Sequence, residues 1–237
     1  TTSPPTKQHH LKHHTGDVRS VAFHSSFPLF VTGSNDTTAI LYDLTTTPAT
    51  FQHHFKDHQD VVIAVDFHPY LLFLATGSFD ASVVLYNISV LPPVIMHHLM
   101  NHCVHCVVFH PTLPFLATGS EDRSTLLYDI SAFIPSSSTL TIPPSPSFTV
   151  KYQLKHHTAS ILSIAFHNTL ELMATGSSDC TVIVYDLTTA PPSIKHHLKY
   201  QSSWVMSVAF HPSLPILGSG SYDKTMMFYN LDHSFQK

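Results

Sequence analysis

Five returns of one residue pattern constrain this chain more than anything else in it. Phe-His occurs at Phe23-His24, Phe67-His68, Phe109-His110, Phe166-His167 and Phe210-His211, in steps of 44, 42, 57 and 44 residues. Glycines at Gly33, Gly77, Gly119, Gly176 and Gly220 keep the same steps. So do the aspartates Asp36, Asp80, Asp122, Asp179 and Asp223, and the tyrosines Tyr42, Tyr86, Tyr128, Tyr185 and Tyr229. Four series locked in phase mark one structural unit built five times. The long third step has a visible cause. Residues 131–150, SAFIPSSSTLTIPPSPSFTV, carry a Ser/Pro-rich insertion of about 13 residues, and loops of that kind are functional or disordered.

Within a unit the strands can be read directly. Val18, Val21 and Phe23 match Val62, Val65 and Phe67, and the three later units repeat the spacing. Such β-branched and aromatic runs favour a pleated strand. A turn, proline-bearing in most units, leads to a second strand such as LFVTGS or FLATGS. A tight turn with the aspartate leads to a third, such as AILYDL or VVLYNI. A weaker fourth strand, such as QHHFKDH, precedes the next unit. No segment sustains a helical period. Four short strands per unit of about 44 residues is the period of a propeller blade. The predicted fold is all-β, a β-propeller of five four-stranded antiparallel blades. It forms one domain over 1–237, with repeats at about 7–44, 51–88, 95–130, 150–187 and 194–231.

From about Lys7 to Leu231 the chain resembles the WD40 family, whose repeats begin near Gly-His and end near Trp-Asp. The matching pieces here are His14, His58, His102 and His157 at the start. Tyr42-Asp43, Tyr86-Asn87, Tyr128-Asp129, Tyr185-Asp186 and Tyr229-Asn230 stand at the end. Tyrosine replaces tryptophan throughout, Gln201 replaces the fifth histidine, and the third repeat reaches Phe109 two residues early. The resemblance implies a buried hydrogen-bond chain in each blade. Its members would be Asp36, His14, Thr32 and Tyr42; Asp80, His58, Thr76 and Tyr86; Asp122, His102, Thr118 and Tyr128; and Asp179, His157, Thr175 and Tyr185. The fifth blade would keep only Ser219, Asp223 and Tyr229, the weakest network. A tyrosine hydroxyl can donate as an indole N–H does, from a different place. An Asp-His-Ser/Thr set repeated blade after blade is expected to be structural, since an enzyme needs one site. No catalytic residue and no cofactor is expected.

Histidine is the residue that most invites a chemical reading, with 21 copies. Pairs at His9-His10, His53-His54, His97-His98 and His196-His197 fall on the fourth strands. Neighbours on a strand point to opposite faces, so a pair cannot easily share an ion, and polar residues on an exposed edge deter edge pairing. A histidine-rich metal-binding propeller is the alternative function; no metal site is the expectation. Cys103, His105 and Cys106 look like half a zinc site, yet Cys106 sits in the small-residue slot that holds Ser20, Ala64, Ser163 and Ser207 elsewhere. Cys180 lies in the aspartate turn and is read as an exposed free thiol. Three cysteines make no disulfide framework, which suits a reducing compartment, cytoplasmic or nuclear. A net charge of −4 argues against nucleic acid as a general partner, and short apolar runs argue against a membrane span.

Two positions vary while the rest of the repeat stays fixed. Six residues before each strand phenylalanine stand Asp17, Val61, Cys103, Ser160 and Trp204. Before each turn aspartate stand Asn35, Phe79, Glu121, Ser178 and Tyr222. By resemblance both sets rim one end of the propeller, the end that binds partners. Trp204, Tyr222 and Phe79 are the anchors, with Glu121, Arg19 and Arg123 adding polar contacts. Trp204 could equally cover the fifth blade where its histidine is missing. The expected function is a scaffold for other proteins or peptides in a multiprotein complex. The chain begins with a fourth-strand segment, Lys7 to Leu11, and stops after a third strand at Leu231. That phase fits a closed five-bladed ring. It also fits an open arc that associates with further propeller repeats, and the open arc is the expectation here.

Overall fold

The β-branched runs form nineteen strands in a computed structural model that describes residues 10–100, 103–134 and 148–232. The first blade is β1 (Val18–Phe23), β2 (Leu29–Ser34), β3 (Ala39–Asp43) and β4 (Thr50–Phe55). The second is β5 (Val62–Phe67), β6 (Phe73–Ser78), β7 (Ser82–Asn87) and β8 (Val94–Met100). The third is β9 (Val104–Phe109), β10 (Phe115–Ser120), β11 (Thr125–Asp129) and β12 (Thr149–Leu154). The fourth is β13 (Ile161–Phe166), β14 (Leu172–Ser177), β15 (Val182–Asp186) and β16 (Ser193–Leu198). Each is an antiparallel meander in sequence order. The fifth sheet holds three strands among the described residues: β17 (Val205–Phe210), β18 (Ile216–Ser221) and β19 (Met226–Asn230). Of the segment Lys7–Leu11, Lys7 to His9 lie outside the described residues, and His10 and Leu11 belong to no strand. The insertion starts with a single 3-10 turn, Ser131–Phe133, and residues 135–147 lie outside the described residues. The rings of Phe133 and Phe148, on either side of them, pack 5.5 Å apart.

The inner strands β1, β5, β9, β13 and β17 stand side by side in that order, and each sheet lays one face on the next. Glycine makes this possible. A Cβ on Gly77 would come within 2.6 Å of Val107 and 2.9 Å of Val104 in the next blade. Gly33 meets Val62 and Val65, Gly119 meets Ile161, and Gly176 meets Val205 and Val208 in the same way. Hydrogen bonds cross the same seams. Ser20 Oγ accepts the Val65 N–H at 3.2 Å, and Ser163 Oγ accepts the Val208 N–H at 3.1 Å.

Both outer faces of this row are uncovered among the described residues. Val18 and Val21 are 50% and 56% exposed, whereas their counterparts Val62 and Val65 are 0% and 6% exposed. At the other end Met226 and Phe228 are 69% and 74% exposed, and a Cβ on Gly220 would meet nothing within 4 Å. Among the described residues the five blades form an open arc, and β17 is not packed along β1 as β13 is along β17.

The histidine of each Phe-His pair organises the turn after its strand. His110 Nδ1 accepts the N–H groups of Thr112 and Leu113 at 3.1 and 2.8 Å. His24 and His167 do the same, and their Nε2–H groups donate across the seam to Leu71 O and Leu214 O. Burial lowers the pKa of His68 and of His110 to about 4. Depression below 6.5 means that the unfolded chain binds the proton first. The stability these groups contribute is therefore intact above pH 6.5 and is lost as pH falls toward 4. In His110→Asn the side-chain oxygen can still accept both N–H groups but does not titrate. Urea titrations at pH 7 and pH 5 should show wild type losing about 1–2 kcal/mol more than the variant. Equal losses would remove His110 from the acid response.

Candidate functional site

The ends of β1, β5, β9, β13 and β17 that start each inner strand are joined to the aspartate turns by one repeated backbone hydrogen bond. Asn35 N–H donates to Asp17 O, Phe79 to Val61, Glu121 to Cys103, Ser178 to Ser160 and Tyr222 to Trp204, at 2.9–3.1 Å. The two variable positions of each blade thus sit together on a fixed frame, all at one end of the arc. In the fifth blade the Trp204 and Tyr222 rings lie 6.1 Å apart and both are exposed. Phe79 is half-buried, edge-on to His105 at 5.3 Å. Glu121, Arg123 and Arg19 are exposed. Arg123 occupies the left-handed position after its aspartate (φ 72°), shared by Thr37, Ala81, Cys180 and Lys224. That conformation is costly for these side chains. The aspartate holds it, its Oδ1 accepting the N–H two residues on, as Asp80 does from Ser82 at 2.9 Å.

Behind this rim lie the buried polar groups. His14 Nδ1–H donates to Asp36 Oδ2 at 2.9 Å while its Nε2 accepts from Thr32 at 2.7 Å. The second blade repeats this with His58, Asp80 and Thr76 at 3.0 and 2.7 Å, and the fourth with His157, Asp179 and Thr175 at 2.8 and 2.8 Å. His102 lies outside the described residues; Asp122 accepts from Ser124, and Thr118 and Tyr128 are buried. The tyrosine hydroxyls extend each set outward. Tyr42 meets His13 at 3.2 Å, Tyr86 donates to Asp57 at 2.9 Å, and Tyr185 meets His156 at 3.3 Å. In the fifth blade the set is divided. Ser219 bonds Gln201 at 3.2 Å and Tyr229 at 3.3 Å, while Asp223 bonds Ser202 and Thr225. Gln201 is buried in the histidine's place, and its Nε2 has no partner among the described residues.

The electrostatics follow from this geometry. Burial raises the Asp36 carboxyl, but hydrogen bonds from Thr38, the Thr15 N–H and His14 outweigh it and hold the group below its ordinary range. In Asp179 the same contest is won by His157, Thr181 and Thr158. Burial pushes the Tyr128 hydroxyl to about 12. It pushes the Cys106 thiol to about 12 as well, and burial with Glu121 beside it raises Cys103. Neither thiol has the lowered pKa of a nucleophile. Cys180 is half-buried. Among the described residues no group of three or more His, Cys, Asp or Glu side chains could hold a metal ion. The histidine pairs lie on β4, β8 and β16, with His9 outside the described residues. Among the described residues no helix is long and apolar enough to cross a membrane.

Sequence reasoning passed over a further member of each set. The residue two after the aspartate, Thr38, Ser82, Ser124, Thr181 or Thr225, donates to the aspartate Oδ1 at 2.5–2.7 Å. Thr38, Ser82 and Thr181 also touch the histidine Nδ1. All five positions are Ser or Thr, so a fifth phase-locked series was there to be read.

The family model described as WD domain, G-beta repeat matches residues 5–43, 49–87, 93–129, 148–186 and 192–230. One relative is the ribosome biogenesis protein BOP1 homolog of Caenorhabditis elegans, 59% identical over 32 residues. That match covers 14% of this chain and 5% of the relative.

Proposed function

Because this chain belongs to the WD40 repeat family, we propose that it is a non-enzymatic scaffold that binds other proteins or peptides through its rim, within a multiprotein complex. The observation that carries the reading is the repeated backbone bond of the rim. It fixes five pairs of positions in space while their side chains differ from blade to blade, which is the construction of a recognition surface. Trp204 and Tyr222 are its anchors: large, adjacent and exposed. The Asp-His-Ser/Thr sets are structural in this reading, because they lie below the rim and recur without a unique member.

Further propeller repeats are the second class of partner. They would cover the apolar faces that carry Val18 and Val21 at one end and Met226 and Phe228 at the other. The name of the C. elegans relative offers ribosome biogenesis as a setting. The shared 32 residues are fewer than the 39 of one full repeat match, so the reading rests on fold and rim. A reducing compartment, cytoplasmic or nuclear, suits three unpaired thiols.

Pull-downs from native lysate test the rim. Trp204→Ala and Tyr222→Ala should each lose specific proteins that wild type captures, with less than about 1 kcal/mol of stability lost. Ile194→Ala, on the exposed outer strand β16, should retain them. Capture that survives both rim substitutions would exclude this surface.

A further inference from the structure

The end of the arc opposite the rim holds a cavity of about 290 Å³. Its walls include Phe23, Phe67, Phe109 and Phe166, the last residues of β1, β5, β9 and β13. Among the described residues Asp66 is the only ionisable side chain in that lining, and Asn168 adds an amide. Asp66 is also an exception to the repeat. The positions aligned with it hold Ala22, Val108, Ala165 and Ala209. We propose that this cavity is a binding site for an alkyl primary ammonium, such as a lysine side chain of a partner, with Asp66 as its counter-charge.

Asp66 is half-buried, and a carboxylate drawn partly out of water without a cation partner is costly. Here its Oδ2 accepts the Phe109 N–H across the seam at 2.7 Å, and Oδ1 accepts the N–H of Phe67 on its own strand at 3.0 Å. Among the described residues no cationic side chain supplements these two bonds, and burial raises the carboxyl to about 7. The seam alone does not require the charge, since Ala22, Val108 and Ala165 stand at this position at the other seams.

The class of ligand follows from what remains free. Each carboxylate oxygen already takes one backbone N–H, which obstructs the paired, parallel approach of a guanidinium. A metal ion would find a single carboxylate where several ligands are needed. A compact ammonium needs only the remaining lone pairs, and the aromatic walls suit both its alkyl stem and its charge.

The probe is n-butylammonium, with n-butanol as its neutral counterpart. Carboxyl carbon NMR should show the Asp66 titration falling by about one pH unit or more at saturating butylammonium and staying put in n-butanol. Asp66→Asn keeps an acceptor for the Phe109 N–H, so the fold survives, and it should weaken butylammonium binding about tenfold or more. An Asp66 titration unmoved by butylammonium, or equal binding to a folded Asp66→Asn protein, would overturn the assignment.

Discussion

Gly77→Ala should destabilise the protein by about 1–3 kcal/mol, while Gly220→Ala, the same change at the same repeat position, should cost nothing. The difference is one of neighbours. The new methyl at residue 77 meets the branched side chains of Val107 and Val104, which have little rotamer freedom to move aside. The new methyl at residue 220 meets open space, and alanine in a strand is favoured over glycine by up to about 1 kcal/mol. Urea denaturation of the two variants beside wild type makes the measurement. Equal losses at both positions would mean that the Gly220 face is packed, as the other four are.

Asp179→Ala should cost about 2–4 kcal/mol, because it strips four hydrogen bonds and leaves His157 buried beside an empty place. The bonds lost come from His157 Nδ1 at 2.8 Å, Thr158 N at 2.9 Å, and Thr181 N and Oγ1 at 3.0 and 2.7 Å. Asp223→Ala should cost less, since its blade has no histidine to strand. Thermal melts of the two give the order. An Asp179→Ala protein that melts with wild type yet loses partner capture would make the aspartate functional rather than structural.

The repeat made the strands legible because its period is a property of the chain alone. Phe23, Gly33, Asp36 and Tyr42 mark the same places in a blade that their counterparts mark four times more. The pairing of rim positions was equally open to reading, since a fixed offset in sequence became a fixed backbone bond. What the sequence hid depends on neighbouring blades. Val18 and Val62 are the same residue in the same slot, yet one is half-exposed and the other buried, because burial is decided by the next sheet. Asp66 was passed over for the same reason. Its strand reads as an ordinary VIAVDF, and only the assembled arc shows a single carboxylate among the ends of four inner strands. The tyrosine hydroxyls reach His13, Asp57 and His156 because a phenol projects its oxygen farther along the ring axis than an indole N–H lies, and no motif encodes that reach.

Methionine oxidation followed by mass spectrometry tests the open arc most directly. Met226 is 69% exposed on the last blade's free face, Met100 is 76% exposed on an outer strand, and Met173 is fully buried. Hydrogen peroxide reaches exposed thioethers first. In dilute monomer an open arc predicts that Met226 is oxidised about as fast as Met100, with Met173 protected. Met226 protected to the level of Met173 in that same monomer would mean a closed ring and would contradict the open arc.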